Sequence, residues 1–134
     1  MKVLVDTCIW SKALRRKTSD SVITKRLSDL IFDGRVTIIG PIRQEILSGV
    51  VHKSQFEKLK NQLSAFEDIP LQTEHFIKAA EFNNLCRSNG VQGSAIDYLI
   101  CSVSYMNNLE IYSNDNDFIF YSKYLPIKLI NENL

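Results

Sequence analysis

The chain contains no run of about 18 apolar residues, which removes a membrane-spanning helix from consideration. Cysteine is scarce. Cys8, Cys86 and Cys101 are odd in number, and their spacing fits neither a zinc site nor a disulfide framework. The expectation is three reduced thiols, packing as small hydrophobes in a cytoplasmic protein. Histidine is scarcer still: His52 and His75 have no ligand-spaced partner and read as surface residues. The start, MKVLVDTCIWSKALRRK, lacks the pattern of a secretory signal, because Asp6 breaks its apolar stretch and no small-residue cleavage site follows. There is no linker, low-complexity tract or internal repeat, so a single domain over residues 1–134 is expected. Charge of one sign is also missing. The net charge of +1 argues neither for nor against a nucleic-acid partner.

What is present is an ordinary globular composition, 45% hydrophobic and 23% charged, sufficient for a core without disulfides or a structural metal. The charge is unevenly spread. Up to Arg26 there are seven basic residues (Lys2, Lys12, Arg15, Arg16, Lys17, Lys25, Arg26) against Asp6 and Asp20. Such a run is either a solvated helix surface or a face for a phosphate-rich substrate.

Periodicity divides the chain into alternating strands and helices. KVLVD reads as a buried strand, and residues 7–16 as a short helix. Ser19 and Asp20 offer a cap for a helix with Val22, Ile23, Leu27, Leu30 and Ile31 at helical spacing, stopped by Gly34. RVTII is a second strand. Pro41 opens a helix, PIRQEILSG, that Gly49 closes. Residues 54–68 read as an amphipathic helix carrying Phe56, Leu59, Leu63 and Phe66, and 69–71 as a brief extended piece. Helices over 73–89 and 94–107, a strand at 110–113, a short helix at 115–122 and a final strand, IKLI, complete the pattern. With no hairpin signals, this alternation predicts an α/β fold: a central parallel sheet of four to five strands with helices on both faces.

Ligands of such sheets bind beyond the carboxyl ends of the strands. Asp6 ends the first strand, and Asp115 and Asp117 follow the strand EIYS. Glu45 lies in the helix after RVTII, and Asp97 interrupts the apolar run AIDYLICSV in the first turn of its helix. Each acid alone has an ordinary explanation. Asp6, Asp115 and Asp117 could be cap or turn residues, Glu45 a surface glutamate, and Asp97 a residue favoured by the helix dipole. Together they suggest clustered carboxylates that need a cation. An all-oxygen donor set favours Mg²⁺ or Mn²⁺ over zinc, and such sites hydrolyse phosphodiesters. Trp10 is expected to pack in the core close by. With the five acids neutralised, 16 basic groups face ten acidic ones, leaving a surface able to hold a phosphate backbone.

Four segments carry a resemblance to a known family. VLVDTCIWSKAL resembles the first motif of PIN domains, PIRQEIL the second, GSAIDYLICSVSY the third and IYSNDNDF the fourth, in the family's order and over essentially the whole chain. The resemblance implies Asp6, Glu45, Asp97 and Asp115 as catalytic acids, with Asp6, Asp97 and Asp115 as ligands of Mg²⁺ or Mn²⁺. It implies Asp117 as an auxiliary acid, and Thr7 and Ser113 as supporting hydroxyls. Ser113 stands where the motif often has threonine, which keeps the hydroxyl. Small stand-alone PIN domains are very often toxins of VapBC-type toxin–antitoxin pairs. The implied activity is a metal-dependent endoribonuclease acting on RNA such as tRNA or rRNA, with a cognate antitoxin and a homodimeric state. Segments 22–31 and 54–66 could supply partner grooves or pack internally. Two other readings stay open. One is a PIN-like binding scaffold without catalysis. The other is an aspartyl-phosphate phosphotransfer or hydrolase domain, against which Cys8 counts, since such phosphatases want a second aspartate there.

Overall fold

A computed structural model describes residues 1–14 and 21–130. The Ser19–Asp20 cap and the basic residues Arg15, Arg16 and Lys17 lie outside the described residues. The elements run β1 (Val3–Val5), α1 (Thr7–Leu14), α2 (Ser21–Phe32), β2 (Val36–Thr37), α3 (Gly40–Leu47), α4 (Lys53–Leu63), α5 (Thr73–Ser88), α6 (Ala95–Met106), β3 (Glu110–Tyr112), α7 (Asp117–Ser122) and β4 (Lys128–Leu129).

The four strands form one parallel sheet in the order β2-β1-β3-β4. Successive strand side chains point to opposite faces. Val3, Leu4 and Val5 are nevertheless all fully buried, so helices cover both faces of the sheet at its centre. In the register Val3↔Glu110, Leu4↔Ile111, Val5↔Tyr112, the carboxyl ends of β1 and β3 lie side by side. The chain leaves β1 toward β2 on one side and later enters β3 on the other. That reversal opens a crevice at the ends of β1 and β3.

The helices are ordered by the same core. α6 is buried all round, from Tyr98 to Ser104, as its apolar sequence requires. Its buried hydroxyls bond backbone carbonyls: Ser102 donates to Leu99 O (2.9 Å) and Ser104 to Leu109 O (2.7 Å). Cys86 and Cys101 are buried thiols in this core. Gly34 (φ +67°) and Asn108 (φ +54°) adopt the left-handed conformation at the ends of α2 and α6.

Several expected elements are shorter. RVTII narrows to Val36–Thr37, with Ile38 making a single bridge to Asp68, so 69–71 adds no fifth strand. IKLI narrows to Lys128–Leu129, continued only by Ile130 N–H donating to Ile111 O (2.9 Å). The helix expected to reach residue 68 stops at Leu63. Arg43 on α3 ends it, donating to the carbonyls of Leu63 (3.0 Å) and Phe66 (2.5 Å) and to the Asp68 carboxylate (3.0 Å). These bonds take up helix-terminal acceptors that periodicity alone would have left for another turn. His75 is not a surface residue. It is buried at the start of α5, where Nδ1 accepts from Gln72 N–H (2.9 Å) and Nε2 pairs with Asn107 Oδ1 (2.8 Å). It thus serves as one half of a capping box.

Candidate active site

Asp6 is set by the sheet. Its N–H extends the ladder to Tyr112 O (2.9 Å), and its carbonyl accepts the first bonds of α1 from Ile9 (3.1 Å) and Trp10 (3.4 Å). The side chain is 8% exposed and well partnered. Oδ1 accepts from Thr7 N–H (2.8 Å), and Oδ2 from the Ser113 hydroxyl (2.8 Å). Asp6 is therefore both a cap and part of the acidic cluster. Ser113 Oγ in turn accepts from Asp115 N–H (3.0 Å), and Asp115 Oδ1 accepts from Asp117 N–H (2.9 Å). A continuous chain of hydrogen bonds runs from the buried Asp6 to the exposed Asp117.

Asp97 enters from α6. The Ser94 hydroxyl caps the helix by accepting from Asp97 N–H (3.1 Å), which leaves the Asp97 carboxylate to face the crevice acids. Tyr121 donates to Asp97 Oδ2 (2.6 Å). Carboxylate oxygens of Asp97, Asp115 and Asp117 lie within 4.8 Å of one another. Glu45, exposed on α3, completes the group electrostatically. Partial burial raises its pKa, and the charges of Asp6 and Asp97 raise it further, against the favourable Thr7 hydroxyl. Asp97 is raised for similar reasons. Burial comes first, opposed by hydrogen bonds from Tyr121 and Ser94, and repulsion from Asp6 and Asp115 adds to it.

Several observations test whether a hard divalent cation fits. The donors are all oxygen, as Mg²⁺ and Mn²⁺ prefer. Among the described residues, the salt bridges all lie elsewhere, and none pairs a lysine or arginine with the five acids. The Thr7 hydroxyl favours the charged form of Glu45, which keeps a further negative oxygen donor at the site. The residues fit such an ion.

The structure thus brings together all seven residues singled out in the sequence, with one change of emphasis. Asp117, expected as auxiliary, is one of the three carboxylates clustered most tightly, and Asp6 stands beside that trio. Three contributors escaped the sequence reading. Cys8 was expected to pack as a hydrophobe. It does pack against the core, half-buried, but its Sγ also lies 3.5 Å from both Asp6 Oδ2 and Ser113 Oγ, and burial together with Asp6 raises its pKa. Its position two residues after Asp6 was the available signal. Tyr121, four residues after Asp117, carried none, and Gly93, although it opens the segment GSAIDYLICSVSY, gave no sign of what stands over it. Trp10 is buried, packing edge-on against Phe66 at 5.3 Å.

The PIN domain family model matches residues 3–123, and the chain belongs to that family. The fold is similar to that of FitAcB from Neisseria gonorrhoeae: 17% identity, 97% of each chain covered and a TM-score of 0.79. It is also similar to VapBC2 from Rickettsia felis bound to a DNA fragment from their promoter (20% identity, 98% of each chain, TM-score 0.75). DNA-bound VapBC from Salmonella typhimurium is a third such structure (16% identity, 98% of each chain, TM-score 0.74). At these identities the likeness is one of fold. No curated protein sequence matches the chain.

Proposed function

We propose that the chain is a divalent-metal-dependent endoribonuclease and the toxin of a toxin–antitoxin pair. The observation that carries this reading is the convergence of five acids on the β1–β3 crevice, none of them paired with a lysine or arginine among the described residues. Asp6, Asp97 and Asp115 would hold Mg²⁺ or Mn²⁺, with Asp117 beside them. When bound, the ion supplies Lewis-acid polarisation of the scissile phosphate and compensates its developing charge. The chain's own groups do the rest. Glu45, whose raised pKa suits a proton acceptor, orients the attacking water and takes its proton. The Thr7 hydroxyl supports the Glu45 carboxylate. Asp6, pinned by Thr7 N–H and Ser113, keeps its place throughout. In-line attack leaves 5′-phosphate and 3′-hydroxyl ends, on an RNA such as tRNA or rRNA.

The partner reading draws on exposed apolar surface. The stripe of 54–66 is consumed internally: Leu59 and Leu63 are buried, and Phe56 and Phe66 half-buried. α2 buries Ile23, Leu27 and Leu30 but leaves Val22, Ile31 and Phe32 outside, Phe32 at 90% exposure. The exposed Ile31 and Phe32 at the end of α2 suit an antitoxin, which would direct a basic side chain into the acidic crevice. A groove of about 600 Å³ between α5, α6 and the start of α3, lined by Phe76, Ala80 and Leu99, suits the homodimer. Among the described residues no helix is long and apolar enough to cross a membrane, and the free thiols suit a cytoplasmic site of action.

The test is cleavage of total RNA by purified, antitoxin-free protein with Mg²⁺ or Mn²⁺, with EDTA, and beside Asp6→Asn. Metal-dependent cleavage by wild type alone supports the reading. A folded protein that neither cleaves RNA nor binds Mn²⁺ at millimolar concentration is a binding scaffold instead.

A further inference from the structure

The Asp97 carboxylate is held from a direction that no motif marks. Tyr121 is fully buried on α7, its ring packed 5.1 Å from Tyr98 and edge-on at 5.3 Å against Phe118. Its hydroxyl reaches Asp97 Oδ2 at 2.6 Å. The phenol lies directly over Gly93. A Cβ at position 93 would overlap Tyr121 Oη and stand 2.8 Å from Cζ, so a side chain there would displace the ring. Gly93 immediately precedes Ser94, the cap that fixes the Asp97 backbone. One glycine thus makes room for the group that fixes the Asp97 side chain, beside the serine that fixes its main chain. α7 carries Tyr121 and begins at Asp117, two residues after Asp115. A single hydrogen bond therefore ties the helix supplying one clustered acid to the helix and turn supplying the other two.

We infer that Tyr121, seated over Gly93, is a positioning residue of the metal centre: it fixes the Asp97 carboxylate relative to Asp115 and Asp117, in readiness for a divalent cation. The inference rests on the acids being a divalent-cation site. A carboxylate pinned beforehand loses little rotamer freedom when the ion arrives, and outer partners of this kind typically contribute about 10- to 100-fold in affinity. Tyr121 touches no substrate in this scheme and acts through Asp97 alone.

The experiment is calorimetric titration of metal-free protein with Mn²⁺, comparing wild type, Tyr121→Phe, Gly93→Ala, their double mutant and Asp97→Asn, with apo melting temperatures alongside. Tyr121→Phe should keep its fold and bind Mn²⁺ roughly tenfold more weakly. Gly93→Ala should do the same by pushing the phenol away, and the double mutant should be no worse than either single, because both remove one interaction. A purely structural Tyr121 would lower the apo melting temperature and leave Mn²⁺ affinity alone. That outcome, with binding abolished in Asp97→Asn, overturns the inference while the metal reading stands. Absence of Mn²⁺ binding by wild type overturns both. If Tyr121→Phe fails to fold, weakened Mn²⁺ binding by Gly93→Ala supports the inference and unchanged binding overturns it.

Discussion

Asp6 and Asp115 follow adjacent strands of one sheet, yet they are held in unlike ways. Asp6 is buried, and its carboxylate accepts from the Thr7 amide and the Ser113 hydroxyl. Asp115 is exposed and bonded locally: its N–H donates to Ser113, its carboxylate accepts from Asp117 N–H and its carbonyl from Phe118 N–H. The buried half is organised before any ion arrives, while the exposed half offers carboxylates whose mutual repulsion an ion would relieve. A site that must admit a large, charged substrate benefits from both: a fixed inner wall and an open rim.

The sharpest way to break this contrast is to remove charge from the inner wall. Asp6→Asn should lower RNA cleavage by roughly 10³-fold, equivalent to about 4 kcal/mol of transition-state stabilisation. The chain should still fold, because the change is nearly isosteric, but its metal-free melting temperature should fall, since the amide nitrogen cannot accept one of the two hydrogen bonds that the carboxylate receives. A mutant that unfolds would show Asp6 to be chiefly structural. Next in size is the ion itself. Mn²⁺ at 100 times its dissociation constant should stabilise the folded chain by about 2.7 kcal/mol, and EDTA should reverse the shift in a thermal melt. In Asp115→Asn the shift should shrink, without change to the metal-free midpoint.

Ser113→Ala comes third. It takes one neutral-to-charged hydrogen bond from Asp6, and chemical denaturation should register a loss of about 1.5–3 kcal/mol. An effect confined to activity would place Ser113 on the rim side of the contrast instead. The smallest effect is on pH. Asp97 and Glu45 have folded pKa values raised above their unfolded ones. The native state therefore holds more protons between the two values, and metal-free stability falls as pH rises through that window and is greatest below it. Metal binding needs the charged carboxylates and should run the other way, weakening on acidification. Asp97→Asn should flatten the metal-free slope in melts from about pH 4 to 7.

Much of this was legible from residue patterns because β-branched runs and helical spacing record burial directly. The acid positions followed from the rule that parallel sheets bind at their carboxyl ends. What escaped has a common physical cause. The end of α4 depends on Arg43, twenty residues away from Leu63 in sequence. The burial of His75 depends on Asn107. The place of Tyr121 depends on the missing side chain of Gly93. Each is a tertiary contact between polar groups or a void, and neither leaves a period in the sequence. Cys8 differs: its spacing from Asp6 was visible, but a cysteine in an apolar run has no distinguishing mark until its neighbours in space are known.

The pairing of β1 with β3 has a temporal consequence. The hydrogen bond that locks the inner wall joins residues 107 positions apart, Asp6 and Ser113. A chain emerging from the ribosome amino end first exposes Asp6 early, with the adjacent Thr7 amide as its partner, yet the Ser113 half of its anchorage must wait for a further 107 residues. Chains shorter than that carry scattered acids and no assembled centre, so the acidic site is complete only once β3 and the turn after it have joined β1.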